Sequence, residues 1–163
     1  MYQQFTTESF QDSVIPFPSV TKKATKRRPW LPLPSDNDVA LLLERASDLL
    51  RIGFTQSKFA QTANGTDTTP LDINAIRFCA IGALRRANCD LHSSKFLARL
   101  HRRIRYDFAI RALFDDVNTR IPTNPLFMND PSVREATIMY WNDTTDKATV
   151  LAGFNRAIVK WRM

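Results

Sequence analysis

From residue 36 onward, apolar residues return at intervals of three and four. That spacing follows the 3.6-residue turn of a helix rather than the two-residue repeat of a strand, so the expected fold class is all-α. In the first stretch Val39, Leu42, Leu43, Ala46, Leu49 and Leu50 share one face. Ser35 or Asp36 can cap it and Gly53 suits a left-handed stop, which predicts a helix over 36–52. A second helix is expected over 73–88, capped by Asp72, with Ile76, Cys79, Ala80, Ala83, Leu84 and Ala87 buried. Gly82 inside it costs about 1 kcal/mol relative to alanine, and such a glycine often marks the close approach of another backbone. A third helix follows Ser93-Ser94 with Phe96, Leu97, Leu100, Ile104 and Phe108 on its core side, running to about Val117 with a break near 106. A fourth starts at Asp130-Pro131, a cap followed by a proline where no N–H is needed, and runs to about Tyr140. A fifth starts near Thr145 and buries Val150, Leu151, Phe154, Ala157, Ile158 and Trp161. The connections are loops at 53–71, where Asn64-Gly65 marks a turn compatible with a small hairpin, and at 118–129.

The first 34 residues differ in kind. They hold Pro16, Pro18, Pro29, Pro32 and Pro34, five of the nine prolines, a density that blocks both helix and central strand. The expected organisation is an extended N-terminal arm, 1–35, and a single compact bundle of about five helices, 36–163. The arm also carries Tyr2, Phe5, Phe10, Phe17 and Trp30, too apolar a set for a purely solvating tail. It reads as a segment built to dock on its own domain or on a partner.

With 23 lysines and arginines against 16 acidic residues, the chain has a formal net charge of +7. Such a balance favours acidic partners: nucleic acid or an acidic protein surface. No apolar run approaches the roughly 18 residues of a membrane span, so no membrane is expected. The opening Met1-Tyr2-Gln3-Gln4 lacks the charged and apolar regions of a secretory signal. The two cysteines, Cys79 and Cys89, sit ten residues apart on one expected helix, about 15 Å along its axis, beyond the reach of a disulfide. Two free thiols in a reducing, cytoplasmic compartment are expected.

Three stretches occur together in order: Gly53-Phe54-Thr55-Gln56 with Phe59-Ala60 and Gly65; Arg77-Phe78-Cys79-Ala80-Ile81-Gly82-Ala83-Leu84; and Trp141-Asn142-Asp143 with Phe154-Asn155-Arg156-Ala157-Ile158 behind it. Over roughly residues 38–160 the chain resembles an uncharacterised family of small proteins of bacteria and their phages. The resemblance implies a bacterial or phage source and a cytoplasmic accessory protein. It implies no mechanism.

Two constellations are candidate sites. Arg99, Arg102 and Arg103 fall at i, i+3 and i+4, one basic helix face suited to phosphate oxygens. Lys22, Lys23, Lys26, Arg27 and Arg28 add a basic patch on the arm. The alternative is a solvated face paired internally with Asp107, Asp115 and Asp116. The second constellation is a polar pocket of Thr55, Gln56, Cys79, Asn142 and Asp143. Its plain alternative is that the polar groups satisfy nearby backbone and Cys79 is a small, protonated core residue. Cys79 with His92, His101 and Cys89 matches no zinc-ligand spacing, and no metal or cofactor is expected. A phosphate-cradling glycine loop, a Ser-His-Asp pattern and an HExxH motif are all missing from the sequence.

The leading expectation is a non-enzymatic accessory protein that binds a macromolecule, nucleic acid first, through the basic arm and the helix face. A protein–protein module, either a virion component or an inhibitor of a host enzyme or defence system, is the second. A thiol-dependent enzyme using Cys79 is the third.

Overall fold

A computed structural model describes residues 34–91, 96–120 and 128–163. Residues 1–33 of the arm, and with them Lys22, Lys23, Lys26, Arg27 and Arg28, fall outside the described residues, as does His92. The elements run α1 (Asp36–Ile52), β1 (Ala60–Gln61), β2 (Asp67–Thr68), β3 (Arg77–Phe78), α2 (Ala80–Asp90), α3 (Phe96–Asn118), α4 (Pro131–Thr144) and α5 (Lys147–Arg162). The class is helical, as the three-and-four spacing predicts, and five helices account for most of the described chain.

Helix α1 is the axis of the bundle. Its apolar stripe Val39, Leu42, Leu43, Ala46 and Leu50 is fully buried, and the helix packs chiefly on α5 and α2, with α3 crossing against it. A capping box starts it: the Ser35 hydroxyl accepts from the Asp38 backbone N–H, and the Asp38 carboxylate accepts from the Ser35 N–H. Helix α3 is one continuous helix, without the expected break near 106. Its buried side is displaced toward the C-terminus: Ala109, Ile110, Leu113, Phe114 and Val117 are buried, whereas Leu100 is exposed. The stripe spaced from Leu100 is only partly covered: Ile104 and Phe108 are half-buried. Phe108 meets Trp161 of α5 edge-on, ring centres 5.6 Å apart.

Gly53 does not take the left-handed stop. Its backbone is extended (φ −150°), and it is glycine for a steric reason: a Cβ there would collide with the Ile76 carbonyl oxygen. The loop that follows contains the hairpin marked by Asn64-Gly65. Strand β1 pairs antiparallel with β2 and with β3, in the order β2-β1-β3. Gly65 (φ +78°) makes the turn, in a left-handed conformation that glycine adopts without penalty.

The largest correction is to the second helix, which begins at residue 80 rather than 73. Asp72 does hold a turn, accepting from the Asn74 N–H at 2.8 Å, but the turn does not propagate. The next residues pair instead: the Ile76 N–H donates to Gln61 O, the Phe78 N–H to Gly53 O, and the Thr55 N–H to Phe78 O. Competition from these strand partners wins over the periodicity, and Ile76 ends up exposed rather than buried. Cys79 is therefore the N-cap of α2, its sulfur accepting from the Gly82 N–H at 3.3 Å. The close approach expected at Gly82 is real: a Cβ would strike the Phe59 carbonyl oxygen, which also accepts from the Cys79 N–H. Helix α4 runs on to Thr144, so Trp141-Asn142-Asp143 lies in its last turn rather than between helices. Asp146 caps α5 through the Thr149 N–H.

Candidate functional site

The structure brings Thr55, Gln56, Cys79, Asn142 and Asp143 into one place. What Thr55, Gln56, Asn142 and Asp143 form is a hydrogen-bonded knot, buried at Asn142 and exposed at Gln56 and Asp143, with Cys79 beside it. Asn142 is fully buried at its centre. Its Oδ1 accepts from the Ala80 N–H at 2.9 Å, and its Nδ2 donates to Thr55 O at 3.2 Å and to Asp143 Oδ1 at 3.0 Å. Gln56 Nε2 donates to the carbonyls of Asn142 and Thr145 at the C-terminal end of α4. The Ser57 N–H donates to Asp143 Oδ1 at 2.7 Å, which helps hold Ser57 at a φ of +62°. Two N–H groups in the first turn of α2, those of Ala80 and Gly82, thus find side-chain acceptors, Asn142 and Cys79. Burial pushes the Cys79 thiol up, against the backbone N–H groups of Gly82 and Ile81 that would stabilise a thiolate. The sulfur is a cap in an apolar wall and is not activated as a nucleophile. Among the described residues no group of three or more His, Cys, Asp or Glu could hold a metal ion.

The second feature is a cleft of about 550 Å³ between the 68–71 segment and the facing sides of α2 and α3. Phe59, Pro70 and Leu71 give it an apolar wall; Arg85, Asn88, Arg102, Tyr106 and Glu135 give it a polar one, with the exposed Cys89 thiol beside them. The polar wall is pre-ordered. Arg85 Nη2 donates to Glu135 Oε2 at 2.8 Å, Tyr106 OH donates to Glu135 Oε1 at 3.0 Å, and the Arg85 guanidinium lies 4.6 Å over the Phe59 ring. Burial opposes the charge on Arg85, but Tyr106 and Glu135 outweigh it and hold its pKa above the ordinary value. Burial holds the Tyr106 hydroxyl well above its ordinary value, so it stays a donor. Asn88 is spent on structure, accepting from Arg105 Nε and Nη2 and donating to Arg102 O.

The third feature is the basic turn at the start of α3. Arg99 and Arg103 are exposed and Arg102 is half-buried at the cleft. None of the three has an acidic partner among the described residues, whereas Arg85, Arg86, Arg156, Lys160 and Arg162 are each ion-paired. Two of the three acids expected to neutralise the turn are engaged elsewhere: Asp116 takes both Nε and Nη2 of Arg156, and Asp115 takes Lys160, while the third, Asp107, forms no ion pair with the turn among the described residues. Burial lowers the pKa of Arg105; Asp38 in the first turn of α1 opposes this, and the nearby Arg102 charge adds to it. The N-terminal turn of α1 therefore lies close to this basic patch. Helical spacing alone identified Arg99, Arg102 and Arg103. It missed the cleft residues, although two pairs, Arg85 with Cys89 and Arg102 with Tyr106, each share a helix face at i, i+4. Glu135 carries no sequence signal, because it arrives from a helix distant in the chain.

These features define a small helical domain buttressed by a three-stranded sheet, with a cleft and a basic turn that has no acidic partner among the described residues. A model of a family of unknown function, DUF6197, matches residues 34–160, and the chain belongs to that family. The match takes in all the described elements up to the last turn of α5. No curated protein and no solved structure matches the chain. Among the described residues no helix is long and apolar enough to cross a membrane.

Proposed function

We propose that this protein is a non-enzymatic bacterial or phage accessory protein that binds nucleic acid through the Arg99, Arg102 and Arg103 turn together with Lys22, Lys23, Lys26, Arg27 and Arg28 of the arm. The supporting observation is that the three arginines have no acidic partner among the described residues, while Asp115 and Asp116 are committed to α5. Unpaired guanidinium groups on one helix turn are fitted to forked hydrogen bonds with phosphate, and ordering them costs no internal ion pair.

The test is binding of full-length protein and a 35–163 truncation to mixed DNA and RNA over a salt series. Steep salt dependence is expected, with a slope near −0.7 to −0.9 per phosphate neutralised. The slope should shrink on truncation and again on Arg99→Ala with Arg103→Ala. Absence of binding by either form at 50 mM salt would overturn the reading. A protein partner would then be sought, for which the exposed aliphatics Ile52, Ile73 and Ile76 around the small sheet are the favouring observation.

A further inference from the structure

We infer that the nucleic acid is single-stranded and that the cleft takes one unstacked base, with the flanking phosphates on Arg99, Arg102 and Arg103. The inference rests on the proposed function and adds the form of the partner.

Four observations carry it. The cleft, at about 550 Å³, falls within the range of small-ligand sites and is ample for a nucleobase. Part of its wall is apolar, from Phe59, Pro70 and Leu71, and Leu71 remains 60% exposed, an apolar surface open to whatever enters. Its polar wall is already satisfied internally, so Arg85, Tyr106 and Glu135 do not change partners on binding. Each Glu135 oxygen accepts one hydrogen bond from this network and keeps a further lone pair, an acceptor for the exocyclic amino group of a base. Arg102 alone belongs to both features: it lines the cleft and stands within the basic turn. A base seated in the cleft therefore has its own phosphates beside Arg102, with Arg99 and Arg103 one turn apart, about 6 Å along the helix axis, to take the neighbouring ones.

Duplex nucleic acid cannot use this arrangement. Its bases are stacked and offer only their edges in the grooves, whereas a concave cleft with an apolar wall engages the face of a base. Single strands offer that face freely, and apolar contact with it is tolerant of sequence.

The test uses full-length protein and fluorescence anisotropy with single-stranded DNA, single-stranded RNA and a duplex of matched charge, at low salt. Single strands should bind at least about tenfold more tightly than duplex. Leu71→Ala, at an exposed position, should weaken single-strand binding about fivefold without changing the salt slope. Arg102→Ala should weaken binding and reduce the slope by about 1. Alkylating Cys89 with N-ethylmaleimide, which places a bulky group on the cleft wall while the buried Cys79 is spared, should abolish the preference for single strands. Comparison of the two single strands assigns DNA or RNA. If duplex binds as tightly as single strands and neither Leu71→Ala nor Cys89 alkylation matters, the cleft is not a base site. The basic turn then stands as a plain phosphate contact. If nothing binds at all, the proposed function fails with it.

Discussion

Replacing Asn142 by alanine removes the centre of the knot that joins α4, α2 and the 53–57 segment. Two backbone groups lose their side-chain partner: the Ala80 N–H, held at 2.9 Å, and Thr55 O, held at 3.2 Å. Both bonds are buried, and each orphaned group costs about 1–3 kcal/mol, so the expected destabilisation is about 3–5 kcal/mol. That is a large share of the roughly 5–15 kcal/mol that holds a domain together. The assay is urea unfolding followed by far-ultraviolet circular dichroism. With an m-value near 1.5 kcal/mol per molar, the midpoint should fall by about 2–3 M with the slope unchanged. Asn142→Asp should do no better. It keeps an acceptor for Ala80 but loses the donor to Thr55, and it sets a second carboxylate against Asp143, whose Oδ1 lies 3.0 Å from the amide nitrogen. Asn155→Ala, at an exposed position on α5, is the control and should stay within about 0.5 kcal/mol. A loss below about 1 kcal/mol for Asn142→Ala would refute the reasoning, because the two backbone groups would then have found other partners.

Gly82→Ala, which helix propensity scores as a gain of about 1 kcal/mol, should instead destabilise by more than that, because its Cβ meets the Phe59 carbonyl; a rise in thermal midpoint would contradict this. In the folded protein Cys89 should react with iodoacetamide at the rate of a free thiol while Cys79 reacts only on unfolding; mass spectrometry of a time course checks it, and rapid labelling of Cys79 would reopen the thiol-enzyme reading. The Asp130 and Asp146 carboxylates, held below their ordinary value by hydrogen bonds to the first turns of α4 and α5, contribute stability that is present above about pH 4 and lost as pH falls through their lowered values. At the other end, burial raises the Cys79 and Tyr106 values, so stability should decline as pH climbs above about 8.5; unfolding midpoints flat from pH 3 to 11 would contradict both signs.

What the sequence revealed and what it hid divide along a physical line. α1 and α5 were legible because each buries one stripe against neighbours, which is the situation that periodicity encodes. The segment 73–79 was misread because Ile76, Cys79 and Ala80 fit a helical stripe as well as they fit a strand leading into a helix. The deciding partners, Gln61 and Gly53, lie elsewhere in the chain. The basic face of α3 was legible from three residues on one turn; its lack of acidic partners among the described residues was not, since it depends in part on α5 having engaged Asp115 and Asp116. Thr55, Gln56, Cys79, Asn142 and Asp143 were picked out as a group, and they do meet. Whether such a group makes a pocket or a tie depends on whether its atoms satisfy one another, and no spacing rule reports that.

The knot and the cleft lie at opposite ends of the same short helix, and this bears on how variants must be interpreted. α2 is fixed at its N-terminus by Asn142 and Cys79 and by the contact of Gly82 with Phe59. Toward its C-terminus it presents Arg85, Asn88 and Cys89 to the cleft. Phe59 takes part in both, since its carbonyl packs on Gly82 while its ring lies under Arg85. A substitution at Asn142 or Gly82 would therefore shift α2 and disturb the cleft without touching a ligand. Loss of binding alone cannot separate a contact residue from a scaffold residue here. The separation comes from measuring both quantities: Leu71→Ala and Arg102→Ala should weaken binding with the urea midpoint unchanged, and Asn142→Ala should lower the midpoint first. If Leu71→Ala lowered both together, the exposed lip of the cleft would be part of the scaffold, and its role in holding a base would be withdrawn.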